Sequence, residues 1–249
     1  MNRPDETIDP LGLMSLRMIQ PKKGYRFSMD PFLLCGFSGF GDERVVYDLG
    51  CGNGVIPLLV AARSSAKKIV GVERQPQMVE RARRNVDLND MNGRVTIVAG
   101  DLRLIRQNCP AQEADLVLAN PPFRIPENGR ISSNDERAAA RHELAGGLED
   151  FLQAAHYLLK DGGRFCLVFL PERLVELLAL MRQIHLQPKR LRLVHHALDE
   201  EARLVLVEGL KGRPSGMVVE APLVVYNEGR QDYTQEVLAM YERSVTSRP

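Results

Sequence analysis

The sequence predicts an α/β fold in which a mostly parallel sheet carries helices on both faces. From residue 45 onward, short apolar runs alternate with longer segments of helical periodicity. Some of the apolar runs end in glycine or an acidic residue, where strands of such sheets lead into ligand-binding turns. Strand–helix alternation of this kind is typical of a layered sheet with helices on its two faces.

The elements follow from this alternation in chain order. The predicted strands are residues 45–50, 68–73, 94–101, 114–122 and 164–170, and the predicted helices are 55–64, 76–89, 149–160 and 171–186. Asp161-Gly162-Gly163 is expected to close the third helix, and Pro171 to begin the fourth. Two late strands, 190–196 and 202–210, are expected to form an antiparallel pair.

Residues 1–44 stand apart and are predicted to form an N-terminal unit ahead of a domain over 45–249. Residues 16–28 suggest a hairpin, and a short helix follows with Asp30 expected at the N-cap and Pro31 at its first position. Residues 123–147 are polar and rich in Arg, Asn, Ser and Gly. Loops of that length in compact domains are usually functional or disordered.

The formal net charge of +1 excludes a strong overall field. A nucleic acid would therefore have to be held by local basic patches. The candidate patches are Lys22, Lys23 and Arg26; Arg81, Arg83 and Arg84; and Lys189, Arg190 and Arg192. The alternative for each patch is a solvated face that nearby acids balance.

Several classes of protein are excluded by what the sequence lacks. The four cysteines have no metal-ligand spacing and no accompanying histidine pair, so no metal site is expected. The N-terminal segment has no apolar core of a signal peptide, and no run approaches the ~18 apolar residues of a membrane span. A cytoplasmic protein without membrane contact is expected, and a monomer is favoured.

A glycine-rich turn joins the first strand of the domain to its first helix. The turn reads Asp48-Leu49-Gly50-Cys51-Gly52-Asn53-Gly54. A dinucleotide turn needs glycine at the sixth place of G-x-G-x-x-G, where Val55 stands here. Asp48 would also repel a diphosphate, whereas it suits a cationic ligand. S-adenosyl-L-methionine is such a ligand, because it carries a sulfonium and an ammonium group.

Two further acids end the next strands. Glu73 follows Gly50 by 23 residues, close to the ~20 expected of an acid that binds ribose hydroxyls. Asp101 ends the third strand and can accept a hydrogen from an adenine amino group, while the Leu102 backbone meets the ring edge. All three acids are expected at the carboxyl edge of the sheet, where open α/β sheets bind ligands.

The fourth strand ends in Asn120-Pro121-Pro122-Phe123. As plain structure, two prolines simply stop a strand. The functional alternative is that the Asn120 side-chain oxygen and the Pro121 carbonyl each accept one N–H bond from an sp² amino group. Those bonds favour a pyramidal nitrogen whose lone pair points at the methyl donor. Phe123 offers a stacking face, and a nucleobase would have to be flipped to reach it.

The motifs DLGCGNG, VERQ, AGDLR and NPPF, in this order, resemble class I methyltransferases of the small-domain NPPF type. Adenine-N6, guanine-N2 and protein glutamine-N5 enzymes share that signature. Four further segments resemble the bacterial tRNA1(Val) adenine-N6-methyltransferases over roughly residues 10–240. They are IQPKKGYRFSMDPFLLCGF (19–37), ARHE (140–143), VEGLKGRPSG (207–216) and APLVVY (221–226).

The resemblance implies a Rossmann-like sheet of seven strands, the last of them antiparallel, with an N-terminal hairpin covering the donor. The expected donor-binding residues are Arg26, Phe27, Asp30, Asp48, Gly50, Cys51, Gly52, Asn53, Glu73, Arg74, Asp101, Leu102 and Asn120. The expected catalytic residues are Asn120, Pro121, Pro122 and Phe123. The expected RNA contacts are Lys22, Lys23, Arg124, Arg141, His142 and Lys211, with a structural role equally open for the histidine.

The expected reaction is methyl transfer to N6 of an adenosine in tRNA, at position 37 of a valine tRNA. Its products are N6-methyladenosine and S-adenosylhomocysteine. The alternatives are guanine-N2 methylation of rRNA, glutamine-N5 methylation of a protein, and a non-enzymatic RNA-binding module with a vestigial donor fold. The intact set of Asp48, Glu73, Asp101 and Asn120 argues against the last of these.

Overall fold

A computed structural model describes residues 3–11, 15–23, 26–121, 147–228 and 231–242. The strands are β1 (Glu6–Pro10), β2 (Arg17–Pro21), β3 (Val45–Leu49), β4 (Lys68–Glu73), β5 (Val95–Ala99), β6 (Ala114–Ala119), β7 (Leu159–Phe169), β8 (Leu186–His195), β9 (Ala202–Lys211), β10 (Val218–Val219) and β11 (Leu223–Val224). The helices are α1 (Asp30–Ser38), α2 (Val55–Arg63), α3 (Pro76–Leu88), α4 (Ile105–Asn108), α5 (Leu148–Leu158), α6 (Leu174–Gln183) and α7 (Gln235–Glu242). Short 3-10 turns, Leu102–Leu104 and Pro171–Arg173, precede α4 and α6.

The central sheet has the order β10-β8-β9-β7-β6-β3-β4-β5, and β11 also pairs with β8. Strands β3 to β7 are parallel, while β9 runs antiparallel to both β7 and β8. The predicted parallel sheet and the late antiparallel pair are therefore confirmed. A sheet of seven strands was expected; β10 and β11, of two residues each, bring the described sheet to nine strands. The chain passes from one side of β3 to the other, which leaves a crevice at the carboxyl ends there.

Side chains alternate between the two faces of the sheet. Val46 packs in the core beneath α1, α2, α3 and α7, whereas Tyr47 and Leu49 pack beneath α4, α5 and α6. This period of two is what a strand buried on both faces requires. The prediction of helices on both faces is confirmed. Among the described residues, no helix is long and apolar enough to cross a membrane.

The N-terminal hairpin differs from the prediction. It pairs β1 with β2, with Ile8 opposite Ile19, so its first strand lies before residues 16–28. Helix α1 begins at Asp30 itself, Met29 is its N-cap, and Pro31 lies in its first turn. The expected N-cap at Asp30 was therefore wrong by one residue.

Two predicted helix ends are also corrected. Helix α5 ends at Leu158, and Asp161-Gly162-Gly163 lies within β7, where the pairing with β6 shifts register. Gly162 has φ +73°, which suits a glycine in a strand irregularity. Helix α6 ends at Gln183 rather than at residue 186, and β8 begins directly after His185.

Candidate active site

Three residues at the carboxyl ends of neighbouring strands form a row at one edge of the sheet. Leu49, the last residue of β3, lies opposite the penultimate residue of β4 and the last residue of β6. The next positions, Gly50, Glu73 and Asn120, therefore lie side by side. Neighbouring strands are ~5 Å apart, so the row crosses the crevice beside β3. The structure thus brings together the glycine turn, one predicted acid and the predicted catalytic asparagine.

The glycine turn depends on backbone conformations that glycine adopts readily. Gly50, Gly52 and Gly54 have φ values of +71°, +54° and +86°. A Cβ at Gly50 would lie 3.3 Å from the Phe151 ring, whereas a Cβ at Gly52 would meet nothing within 4 Å. The turn is therefore packed against α5 below Gly50 and open above Gly52. A ligand can approach the main chain there.

Glu73 is fixed beneath this turn. Its Oε2 accepts a hydrogen bond of 3.0 Å from the Gly52 amide, and its Oε1 accepts one of 2.7 Å from the Gln75 amide. The side chain is buried. Each carboxylate oxygen can accept a further hydrogen bond, so the arrangement is compatible with the expected ribose contact.

Asp48 is the most unusual group of the site. Its exposed fraction is 1%, and neither carboxylate oxygen has a hydrogen-bond partner within the described part of the chain. Burial, with the nearby Glu73 carboxylate, raises the pKa of Asp48 well above its usual range. The Asn53 Nδ2 atom is likewise buried and unpaired among the described residues. Such groups are costly, by ~1–3 kcal/mol each, and they fit a ligand that bears a cation and hydrogen-bonding groups.

Cys51, within the glycine turn, is buried. Burial above all, and then the carboxylates of Asp48 and Glu73, raise the pKa of its thiol well above its usual range. Its Sγ faces β4, where a Cβ at Gly71 would lie only 2.8 Å away. Cys51 is therefore a packing residue that lets the turn sit closely against β4.

The Asp101 carboxylate is in contact with two arginine side chains. Its Oδ1 accepts from the Arg103 amide at 3.0 Å, its Oδ2 lies 2.5 Å from Arg103 Nη2, and Arg74 Nη1 is 3.5 Å away. The hydrogen bonds from Arg103 hold the pKa of Asp101 below its usual value. Leu102 is buried beside it. An adenine amino group would have to share these oxygens with the arginines.

The segment after the hairpin leads into α1. The Arg26 guanidinium bonds to Asp9 of β1 at 2.7 Å, and the Phe27 amide donates to Gln20 of β2 at 3.2 Å. The Phe27 ring lies 6.1 Å from that of Phe32. Burial raises the pKa of Asp30 at the start of α1. These expected donor-pocket residues are thus anchored to the hairpin and to α1.

The predicted catalytic and RNA-contact residues other than Lys211 divide into three groups. Asn120 is half-buried and Pro121 is buried at the end of β6. Pro122, Phe123, Arg124, Arg141 and His142 lie outside the described residues. Lys22 and Lys23 are exposed after β2, and Lys22 Nζ donates to the Pro4 carbonyl at 2.7 Å.

Lys211 is not brought to this site. It ends the antiparallel strand β9 and therefore lies at the edge of the sheet opposite Asn120. Its Nζ donates to the carbonyls of His156 and Leu159, at 2.6 and 2.9 Å. Burial lowers its pKa. Lys211 thus binds carbonyls at the carboxyl end of α5, as lysines commonly do there.

The arginines of the basic cluster on α3 are bound by groups of the protein itself. Arg81 and Arg84 both bind the buried carboxylate of Glu6, and Arg83 donates to the Ile97 carbonyl. The alternative of a face balanced by acids therefore holds for this cluster. Nearby, sequence reasoning missed Asn85, which is fully buried. The available signal was an asparagine within the apolar stripe of an amphipathic helix, where a buried polar group requires partners.

Comparisons with known proteins identify the family of the chain. The family model described as Methyltransferase small domain matches residues 32–185. The chain is 37% identical over 133 residues to the tRNA1(Val) (adenine(37)-N6)-methyltransferase of Yersinia pseudotuberculosis strain YPIII, which covers 53% of this chain and 51% of that protein. The same-named protein of Yersinia pestis strain Pestoides F is also 37% identical, with 52% of its length covered. The chain thus spans about half the length of the curated relatives it matches.

Solved structures show the same fold. A predicted O-methyltransferase of Agrobacterium tumefaciens superposes with a TM-score of 0.70 at 24% identity, over 88% of this chain and 99% of the other. M. jannaschii TYW2 in complex with AdoMet gives a TM-score of 0.56 at 17% identity, over 84% and 87% of the two chains. At these identities the likeness concerns the fold, which is that of class I methyltransferases.

Proposed function

The chain belongs to the methyltransferase small domain family, and we propose that it transfers the methyl group of S-adenosyl-L-methionine to N6 of an adenosine in tRNA. The products are N6-methyladenosine, S-adenosylhomocysteine and one proton, which the amino nitrogen loses to solvent as it gains the methyl group. Adenosine 37 of a valine tRNA is the proposed target, after the names of the relatives from Yersinia. The observation that carries the donor assignment is the buried carboxylate of Asp48, which has no hydrogen-bond partner within the described residues, in the same turn as the open backbone of Gly52.

The residues of the crevice fit this donor. Asp48 provides two acceptor oxygens for a cationic amino group, and the open backbone at Gly52 allows close approach. Glu73 is held by two amides with oxygens still able to accept ribose hydroxyls. When bound, the donor supplies an electrophilic methyl group on a positively charged sulfur. Binding also compensates the buried carboxylate, which has no cation of its own among the described residues.

Asn120 and Pro121 hold the nucleophile. The amino nitrogen of adenine is unreactive while its lone pair is delocalised into the ring. The Asn120 Oδ1 atom and the Pro121 carbonyl accept its two N–H groups, which favours a pyramidal nitrogen. Their place beside Gly50 in the row of strand ends supports this role. Positioning of this kind can contribute ~7–11 kcal/mol to lowering a barrier, and stacking on Phe123 remains a prediction.

The test is methylation of tRNA by the purified protein. Donor labelled in its methyl group is incubated with tRNA, and the nucleosides are analysed by mass spectrometry. We expect label in N6-methyladenosine, and none when a valine tRNA transcript carries guanosine at position 37. Label in N2-methylguanosine or in protein would identify one of the two alternative enzymes. No label and no heat of donor binding would identify a vestigial fold.

A further inference from the structure

We propose that Asn85 of α3 is a positioning residue that joins the N-terminal hairpin to the glycine turn, so that donor affinity depends on it. The inference rests on the proposed function, because the donor is the ligand whose binding it affects. Asn85 lies away from the reacting atoms and acts through Asn53 of the turn.

Asn85 of α3 and Asn89, the C-cap residue of the same helix, bind the outer edge of β2. Asn85 Oδ1 accepts from the Ile19 amide at 2.6 Å, and its Nδ2 donates to the Ile19 carbonyl at 3.2 Å. Asn89 makes the same pair of bonds with Arg17, at 2.9 and 2.8 Å. Four helical residues rise ~6 Å and two strand residues ~6.8 Å, so the two spacings match. The side-chain amides thus make hydrogen bonds of the kind that a third strand would make along the edge of β2 that faces away from β1.

Only one of these asparagines continues into the site. Asn85 Nδ2 also donates to the Asn53 carbonyl at 2.9 Å, within the glycine turn. Asn85 has an exposed fraction of 0%, whereas the bonds of Asn89 to β2 are exposed to solvent. A single buried amide therefore holds β2 and the turn together. Removing it would leave the Ile19 and Asn53 carbonyls without that donor.

A second link runs parallel to the first. Arg81 Nε bonds to the Glu6 carboxylate of β1 at 3.0 Å, and its Nη1 donates to Asn53 Oδ1 at 3.3 Å. Both strands of the hairpin are thus connected to Asn53 through α3. Asn53 Nδ2 itself is buried and, like the Asp48 carboxylate of the same turn, has no hydrogen-bond partner among the described residues. The position of the hairpin therefore sets the position of a ligand-binding turn.

The experiment compares Asn85→Ala with Asn89→Ala. Each variant loses one amide pair with β2, but only Asn85→Ala loses the bond to Asn53. We expect the Kd for S-adenosyl-L-methionine, measured by calorimetry, to rise about ten-fold or more for Asn85→Ala. For Asn89→Ala we expect a change within about three-fold. Hydrogen exchange of the Ile19 and Arg17 amides reports that each variant has lost its own hairpin bond.

A near-isosteric variant separates positioning from packing. Asn85→Asp keeps an acceptor for the Ile19 amide but sets a carboxylate against the carbonyls of Ile19 and Asn53. We expect its loss of donor affinity to equal or exceed that of Asn85→Ala, although its volume is unchanged. It also carries the test if Asn85→Ala fails to fold.

The outcomes are distinct. Wild-type affinity in Asn85→Ala or Asn85→Asp overturns the inference and leaves the proposed function intact. Equal losses in the Asn85 and Asn89 variants also overturn it, because hairpin docking alone would then explain the effect. A wild-type protein that binds no donor overturns both proposals.

Discussion

The carboxylate of Glu73 accepts a hydrogen bond of 3.0 Å from the backbone amide of Gly52. The last residue of β4 thereby shapes the turn that follows β3, at a position where φ is +54°. The same carboxylate lies at the crevice, so one side chain supports the turn and can also accept hydrogen bonds from a ligand. Substitution at this residue is expected to affect both.

Glu73→Gln is expected to weaken donor binding by about ten- to a hundred-fold. Hydrogen bonds to a charged group contribute ~1.5–3 kcal/mol, and the glutamine NH₂ would face one of two backbone amide donors. Calorimetry with S-adenosyl-L-methionine measures the effect. Glu176→Gln, in a surface pair with Arg173, is the control and should bind as wild type does. An unchanged Kd for Glu73→Gln would remove Glu73 from the donor site.

Asp48→Asn is expected to stabilise the donor-free protein increasingly as the pH rises. Because the folded-state pKa of Asp48 is raised, the folded protein binds more protons than the unfolded one above about pH 4. Wild-type stability therefore falls with rising pH, by at most ~1.4 kcal/mol per pH unit, up to the folded-state pKa. Asparagine lacks this titration.

Urea unfolding of both proteins at a series of pH values between about 4 and 8 measures the difference in their free energies of unfolding. The free energy of unfolding of Asp48→Asn should exceed that of wild type most at the alkaline end. Donor affinity should fall in the same variant, since the acceptor charge is lost. Parallel pH profiles would show that Asp48 does not carry the pH-dependent cost.

Asn120→Ala is expected to slow methyl transfer by about a hundred- to a thousand-fold. The analogy is the loss of one preorganised hydrogen-bonding group, which costs ~2.7–4 kcal/mol of transition-state stabilisation. Single-turnover rates measure it, and donor and tRNA binding should change little. Asn108→Ala in α4, whose side chain donates to the Leu104 carbonyl in an exposed position, is the control. Wild-type turnover in Asn120→Ala would mean that the nucleophile is held elsewhere.

Glu208→Ala is expected to destabilise the fold by ~1–3 kcal/mol, because it removes a buried carboxylate that two half-buried guanidinium groups share. The Glu208 carboxylate accepts from Arg164 at 2.7 Å and from Arg190 at 3.1 Å. Chemical denaturation measures the loss. Glu236→Ala breaks the more exposed pair with Arg192 and should cost ~0–1 kcal/mol. Similar costs for both variants would contradict the assignment of a buried network.

Local patterns predicted the elements that carry the site, and they failed where tertiary contacts decide. The end of β3 next to Asp48 and the end of β4 at Glu73 follow from apolar runs that stop at a glycine turn or an acid. Strand β1 begins with Glu6, whose charge argues against a buried strand until Arg81 and Arg84 of α3 are placed beside it. Asp161-Gly162-Gly163 suits a helix end and a strand irregularity equally. The pairing of the flanking residues Leu159 and Arg164 with β6 selects the second.

The polar connections of the site were less predictable than its acids. The bond between Asn85 and Asn53 joins residues 32 positions apart, and nothing in the spacing of either residue indicates it. The contact between Asn85 and Ile19 depends on the hairpin docking at one register on α3. An isolated pattern cannot specify such a register, because many partners are compatible with one amide.

The two-residue strands β10 and β11 have a consequence for how the protein behaves at high concentration. They pair along the outer edge of β8 and engage the main chain near Leu191 and His195. Long unpaired edges are templates for intermolecular strand addition, whereas short, interrupted edges are poor ones. A strand of a second copy could pair with β8 along this edge only after β10 and β11 had detached from it. This edge of the sheet is therefore a poor template for fibril formation.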